Sequence, residues 1–175
     1  MKKIIYIRNK TNLGYPKAIN QGLKLAFNNN SKYALISNND IYFYPHSIDE
    51  LLKAAKGTDY GYITAVDSKR GLVHIPSDVV YSDVLCNSCF LLKKSTVDKI
   101  GYYDENFGLG GEEDRDYIER MGKNNIERKS VRFALVKHKH GFTQREVGSN
   151  TQDKLKKNQE YLEKKHNIKL GWKFY

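Results

Sequence analysis

The residues of this chain that are best suited to chemistry directly follow a short apolar run. Residues 34–36 have the pattern of a strand buried on both faces, and Ser37, Asn38, Asn39 and Asp40 come next. Ligands of open α/β sheets bind beyond the carboxyl ends of such strands. Asp40 is therefore a candidate ligand for Mg²⁺ or Mn²⁺ beside a phosphate, which supplies further oxygen ligands. The alternative is that these polar residues only cap the helix that follows.

A second candidate group is acidic. Glu112, Glu113, Asp114 and Asp116 follow a glycine-rich loop at 102–111 and open a predicted helix. The helix dipole favours acids in a first turn, so part of this group needs no function. Four carboxylates within five residues are nevertheless more than helix capping requires. Their number indicates a further role.

The elements that position these groups alternate along the chain, which predicts an α/β fold. The first strand, loop, helix and second strand have the pattern of a right-handed crossover unit in a parallel sheet. Ser47 and Glu50 can form a capping box at the second helix, and Gly101 can end the third. The predicted strands are 2–8, 33–37, 60–66, 72–75, 84–92 and 131–136, and the predicted helices are 16–27, 45–56, 95–100, 112–121 and 152–166.

Length and charge indicate one domain with a basic end. The chain has 175 residues and a mass of 20.3 kDa, enough for a real core. The formal net charge is +10. Residues 1–119 balance 15 Lys and Arg against 15 Asp and Glu, whereas residues 120–175 hold 15 against 5. This excess could attract nucleic acid, an anionic membrane or an acidic substrate, or it could be a solvated surface.

Two observations argue against a membrane-spanning, secreted or redox protein. The sequence has no apolar run of about 18 residues and no signal peptide, so we expect a soluble, cytoplasmic protein with at most peripheral membrane contact. Cys86 and Cys89 form a C-x-x-C without a second pair. They lie in an apolar segment, which favours buried thiols over zinc or redox chemistry.

Five segments resemble, in order, the motifs of family-2 glycosyltransferases. Residues 9–23 resemble N-x-G-x-x-x-A-x-N-x-G, and residues 36–41 resemble the aspartate-containing metal motif in its rhamnosyltransferase-like Asn-Asn-Asp form. Residues 89–107 are similar to the strand and helix that end in G-x-F-D-E-x-F. Residues 111–120 match E-D-x-D-x-x-x-R, and residues 136–143 resemble the late histidine motif. Each motif is weak alone, but the ordered set is specific.

The resemblance implies a GT-A fold, with a mixed, mainly parallel sheet flanked by helices. It implies inverting, metal-dependent transfer of a sugar from a UDP-sugar or dTDP-rhamnose to a hydroxyl acceptor, such as a growing glycan in polysaccharide biosynthesis. Within a single domain over 1–175, residues 1–90 would bind donor and metal, and residues 91–145 would bind acceptor and catalyse. Residues 146–175 would form a basic C-terminal helix. The implied partners are donor and acceptor, without nucleic acid.

The resemblance also implies roles for individual residues. Asp40 would ligate Mn²⁺ or Mg²⁺, with His138 or His140 completing the site; imidazole suits Mn²⁺ better, and the H-x-x-G-x-T spacing favours His138. Either histidine could instead lie on a basic surface. Asp114 would be the general base, and Glu113 would bind acceptor or orient the loop. Donor contacts would come from Asn9, Asn12, Gly14, Lys17, Asn38, Asn39, Asn87 and Ser88, with a β-bulge as the alternative for the last two.

One departure from the family pattern concerns the beginning of the chain. Members usually start with an earlier strand ending in T-Y-N, and Met1 falls where the second strand would start. We therefore expect an unusually small member, as some virus-encoded ones are, or a shortened chain. The alternatives are a non-catalytic sugar-nucleotide-binding module, a part of a larger multi-domain transferase, and a nucleic-acid binder whose affinity falls steeply with salt.

Overall fold

Helices alternate with strands in this computed structural model, which describes residues 4–70, 87–139 and 151–170. Two short 3₁₀ turns, Ser68–Arg70 and Glu105–Phe107, lie between the main elements. The helices are α1 (Tyr15–Asn28), α2 (Ser47–Ala55), α3 (Lys94–Ile100), α4 (Glu113–Lys123) and α5 (Thr151–His166). The strands are β1 (Tyr33–Ser37), β2 (Ile41–Phe43), β3 (Tyr62–Asp67), β4 (Cys89–Lys93) and β5 (Arg128–His138).

The strands form one mixed five-stranded sheet in the order β1-β4-β3-β5-β2. β3 and β5 are parallel, whereas β1–β4, β3–β4 and β2–β5 are antiparallel. The expectation of a mixed sheet flanked by helices is confirmed. The expectation that parallel pairing predominates is wrong for the described strands, because the pattern of strands and helices along a chain does not specify which strands become neighbours.

The predicted first strand does not form in the described residues. Residues 4–9 belong to no strand, and the side chains of Ile4 and Tyr6 are 93% and 80% exposed. The prediction of a crossover unit at the start of the chain is therefore wrong. Within the described residues β1 pairs only with β4 and forms an edge of the sheet. The predicted strand at 72–75 and the start of the strand at 84–92 lie outside the described residues.

The core consists of two layers, one on each face of the sheet. In β4, Phe90 packs with the α1, α3 and α4 side, while Leu91 packs with the α2 side. This alternation follows from the two-residue period of a strand. Each fully buried large apolar side chain contributes roughly 1.5–3 kcal/mol. The layers hold α1 and α4 on the same face of the sheet, which brings their N-terminal ends together.

Several local predictions are confirmed and two are wrong. Gly101 ends α3 with a φ of 81°, and Cys89 is a buried thiol, while Cys86 lies outside the described residues. Ser47 does not cap α2: the N-cap is His46 in the left-handed conformation, and the Ser47 hydroxyl donates to the Tyr44 carbonyl at 2.8 Å. The helix α4 ends at Lys123, two residues past its predicted end. No helix within the described ranges is long and apolar enough to cross a membrane.

Candidate active site

Asp40 and His138 are brought together by the pairing of β2 with β5. Asp40 lies in the tight turn between β1 and β2, and the next residue, Ile41, pairs with His138 across the sheet. The Oδ1 atom of Asp40 lies 3.0 Å from Nε2 of His138. The two side chains are 19% and 15% exposed, so a ligand can reach them from solvent. His140, the other candidate, lies outside the described residues.

The carboxylate of Asp40 has unused bonding capacity. Its Oδ1 atom is buried and, apart from the 3.0 Å ion-pair contact with Nε2 of His138, accepts no hydrogen bond from the described residues. Asp67, which is 3% exposed at the end of β3, accepts hydrogen bonds from the backbone N–H groups of Lys69 at 3.1 Å and His138 at 3.4 Å. Within the described part of the chain, no three His, Cys, Asp or Glu side chains form a metal-binding group. A cation held by Asp40 and His138 would therefore take further ligands from outside this group.

The acidic segment begins α4 and contains two carboxylates with different surroundings. Glu113 is 8% exposed, and its Oε2 atom has no hydrogen-bond partner among the described residues. Burial, followed by the charge of Asp114, raises the pKa of Glu113 to about 7. Asp114 is half-buried; its Oδ1 accepts the backbone N–H of Arg115 at 2.7 Å, and its Oδ2 accepts a hydrogen bond from Nδ2 of Asn87.

Residues 87 and 88 connect the end of β1 with the start of α4. The backbone N–H of Asn38 donates to the carbonyl of Ser88 at 2.8 Å, while the neighbouring Asn87 side chain contacts Asp114. The Asn-Asn-Asp segment and the acidic start of α4 therefore both contact residues 87 and 88, directly before β4. Asp40 lies two residues beyond Asn38, in the turn that leads from β1 to β2.

The N-terminal motif packs against the glycine-rich loop. Gly14 has a φ of 83°, and a Cβ at that position would lie 2.1 Å from the carbonyl oxygen of Gly108. The backbone N–H of Tyr15 donates to the Leu109 carbonyl at 3.1 Å. Asn12 accepts the N–H of Gly14 at 2.9 Å and thereby shapes the turn into α1. Gly14 thus has a structural reason to be glycine besides any donor contact.

The other predicted donor-binding residues divide by exposure. Asn9 is exposed and its amide pairs with Gln21 at 3.2 Å, on the outer side of α1. Lys17 and Asn39 are also exposed, and Ser88 is 8% exposed. The described contacts therefore bring Asn38, Asn87 and Ser88 together, whereas the exposed Asn9 contacts Gln21 of α1.

Three residues that support this site were not among the predicted site residues. Asn20, which is 2% exposed, donates to the Tyr103 carbonyl at 2.8 Å and accepts its N–H at 2.9 Å. Tyr62 donates its hydroxyl to Oδ1 of Asn87 at 2.7 Å. Asn158 on α5 contacts the glycine-rich loop. Asn20 lies in the N-terminal motif, which points to it, whereas Tyr62 has the pattern of an ordinary strand residue and Asn158 lies in the predicted basic C-terminal helix.

Comparison with known proteins supplies the family context. Residues 1–74 match the sequence model of glycosyl transferase family 2. No curated protein matches the chain significantly. Among solved structures, one match is the mannosyltransferase PcManGT from Pyrobaculum calidifontis, in complex with GDP-Man and Mn²⁺. The TM-score is 0.56 and the sequence identity is 12%.

The structural match covers 85% of this chain but 49% of the mannosyltransferase, so the chain spans about half the length of that protein. At 12% identity the likeness concerns the fold, which is that of GT-A glycosyltransferases. The sequence match at residues 1–74 includes both the N-terminal motif and the Asn-Asn-Asp segment. The chain thus resembles glycosyl transferase family 2 in sequence over residues 1–74, and its described residues have a fold similar to that of a GT-A glycosyltransferase.

Proposed function

We propose that this chain transfers a sugar from a nucleotide-diphosphate donor to a hydroxyl acceptor, with a divalent cation and inversion at the anomeric carbon. The observation that carries the proposal is the 3.0 Å separation between Oδ1 of Asp40 and Nε2 of His138. Adjacent ligands of an octahedral cation with bonds of about 2.1 Å are about 3.0 Å apart. Apart from Nε2 of His138, the buried Oδ1 atom has no hydrogen-bond donor among the described residues, which suits a metal ligand.

Asp40 and His138 fit such a cation as one oxygen and one nitrogen ligand. A carboxylate with an imidazole favours Mn²⁺ over Mg²⁺, because Mg²⁺ prefers oxygen ligands alone. The cation, when bound, stabilises the charge that develops on the diphosphate leaving group. Its remaining ligands would be diphosphate oxygens and water, since the described residues near the pair offer no third free ligand group.

The structurally similar mannosyltransferase was solved with GDP-Man and Mn²⁺, which supports a nucleotide-sugar donor for this chain. GDP-mannose therefore joins UDP-sugars and dTDP-rhamnose as a candidate donor. Asn38 and Ser88, which are joined by a backbone hydrogen bond, would contact the donor. A glycan acceptor, a cytoplasmic location and any membrane contact stay predictions from the sequence.

Asp114 is suited to act as the general base. It lies at the start of α4, is half-buried, and keeps lone pairs beyond the two hydrogen bonds from Arg115 and Asn87. An inverting displacement needs one base, which removes the acceptor hydroxyl proton as the oxygen attacks. Burial and the charge of Asp114 raise the pKa of Glu113 to about 7. Near neutral pH this carboxyl group can therefore donate or accept a hydrogen bond with the acceptor substrate.

Calorimetry tests the metal assignment. GDP, UDP and dTDP are titrated into the protein with and without Mn²⁺, for wild type and Asp40→Ala. We expect Mn²⁺ to strengthen the binding of one nucleotide in wild type and not in Asp40→Ala. The control is Asp98→Asn, because Asp98 is an exposed carboxylate paired with Lys94 at 2.6 Å. Equal Mn²⁺-dependent affinity in wild type and Asp40→Ala would remove Asp40 as a ligand.

Turnover distinguishes an enzyme from a binding module. Hydrolysis of the matching sugar nucleotide with Mn²⁺ is measured for wild type and Asp114→Asn. Loss of a general base costs roughly 10²–10⁴-fold in rate. Identical rates in the two proteins would instead support a non-catalytic sugar-nucleotide-binding module.

A further inference from the structure

The side chain of Asn87 lies between a buried phenol and the carboxylate of Asp114. Its Oδ1 atom accepts the Tyr62 hydroxyl at 2.7 Å, and its Nδ2 group donates to Oδ2 of Asp114. The backbone carbonyl of Asn87 accepts the Tyr15 hydroxyl at 3.0 Å. Two phenols therefore hold one asparagine from different directions, and that asparagine contacts the acidic helix start.

The hydrogen-bond chemistry permits one orientation of the Asn87 amide. A carboxylate accepts hydrogen bonds and donates none, so the amide group that faces Asp114 must be Nδ2. Oδ1 then faces Tyr62, which must donate its hydroxyl proton. Burial raises the pKa of Tyr62 well above its usual value, so this phenol stays protonated and can donate across the neutral pH range.

The phenol itself is buried and packed against another ring. Tyr62 is 1% exposed, begins β3, and stacks on Phe90 with ring centroids 4.4 Å apart. Phe90 belongs to β4, which directly follows Asn87 and Ser88. The orientation of the Asn87 amide is therefore tied to the central strands of the sheet rather than to a surface loop.

We propose that Tyr62 and Asn87 are positioning residues for Asp114, with the β3 phenol orienting the asparagine amide and the amide orienting the carboxylate. This inference rests on the proposed role of Asp114 as the base. Oδ1 of Asp114 accepts the N–H of Arg115, and Oδ2 accepts the Asn87 amide. The two contacts together define the orientation of the carboxylate. Correct placement of a base matters because misplacement of about 1 Å can cost on the order of 10²-fold in rate.

An activity-independent experiment tests the hydrogen-bond arrangement. Nuclear magnetic resonance follows the side-chain amide protons of Asn87, assigned by their absence from Asn87→Asp. We expect one proton to lie downfield and exchange slowly in wild type, and to move in both Tyr62→Phe and Asp114→Asn. The matched control is Tyr117→Phe, because Tyr117 is equally buried and donates to the Gly101 carbonyl instead. An Asn87 signal that Tyr62→Phe leaves unchanged overturns the proposal.

A kinetic experiment tests the consequence. Hydrolysis of GDP-mannose, UDP-glucose and dTDP-rhamnose in the presence of Mn²⁺ is measured for wild type, Tyr62→Phe and Tyr117→Phe. With the donor that is used, we expect Tyr62→Phe to lower kcat roughly tenfold with little change in KM, and Tyr117→Phe to match wild type. Equal kcat values in the two variants overturn the proposal. If wild type uses none of the donors, the proposed function fails, and the amide signal alone decides whether Tyr62 orients Asn87.

Discussion

The Nδ2 group of Asn158 lies 2.9 Å from the carbonyl oxygen of Gly111, immediately before the acidic helix start. The same amide group lies 3.0 Å from the carbonyl oxygen of Phe107 and 3.1 Å from that of Gly110, so its two N–H protons are shared among three carbonyls. A single side chain of α5 thus holds the glycine-rich loop that leads to the candidate base. This contact gives the basic C-terminal helix a role in building the site.

Asn158→Ala is expected to loosen this loop. The variant removes the side-chain donor from three backbone carbonyls, of which that of Phe107 still accepts the N–H of Gly110 at 3.2 Å. We expect a loss of about 1–2 kcal/mol in the free energy of unfolding. Urea denaturation measures that loss, and hydrogen exchange at the amides of Gly110 and Gly111 should become faster. Gln159→Ala is the control, since Gln159 contacts the Leu170 carbonyl instead. Unchanged exchange at both glycines would contradict the role of Asn158.

Asp116→Asn is expected to destabilise the fold strongly. The Asp116 side chain is fully buried, and its oxygens lie 2.7 Å from Lys165, 2.8 Å from His166 and 2.9 Å from Arg120. Burial alone would raise the pKa of Asp116, but hydrogen bonds from Lys165 and His166 outweigh it and lower that pKa. Removing the charge takes the carboxylate away from Arg120, whose side chain is 18% exposed, while Lys165 keeps Asp104 at 2.6 Å. We expect a loss of about 3–5 kcal/mol in urea denaturation.

The exposed pair of Asp98 and Lys94 provides a control for Asp116→Asn. Their side chains are 58% and 43% exposed, so Asp98→Asn should change the free energy of unfolding by less than about 1 kcal/mol. Similar losses in the two variants would mean that Asp116 does not anchor α5 to α4.

Glu113→Gln is expected to change how stability depends on pH. Burial and the charge of Asp114 raise the pKa of Glu113 from 4.5 to about 7, so folding takes up a proton between these values. Wild type should therefore lose stability as pH rises from about 4.5 to 7, by roughly 3 kcal/mol in total. Glu113→Gln has no such titration, so its unfolding free energy should exceed that of wild type increasingly over this range. Parallel stability curves for the two proteins would contradict the raised pKa.

Gly14→Ala is expected to disrupt the contact between α1 and the glycine-rich loop. A Cβ would lie 2.1 Å from the Gly108 carbonyl oxygen, and the φ of 83° is strained for alanine. We expect a loss of more than about 2 kcal/mol, seen as a lower Tm. Gly22→Ala is the matched control inside α1: a Cβ there meets nothing within 4 Å, so alanine should stabilise the helix by about 0.5–1 kcal/mol. A neutral Gly14→Ala would exclude close packing at this position.

Local patterns predicted most elements correctly. Apolar spacing placed α1 and α3 within one or two residues, and the abrupt end of the apolar run at Ser37 marked the end of β1. The order of the motifs indicated the GT-A fold, which the structural match supports. These features depend on residues close together in the chain, where backbone preference and side-chain period act directly.

Such patterns could not predict which strands are neighbours in the sheet or which side chains are in contact. The antiparallel pairing of β1 with β4, the Asn87 contact with Asp114 and the Asn158 contact with Gly111 each join residues far apart in sequence. Residue types offered Asp40 as a ligand and the family resemblance offered His138 or His140, but the register of β2 on β5 placed the side chains of Asp40 and His138 3.0 Å apart. Such contacts depend on how all the helices and strands fill one core together, so no single segment specifies them.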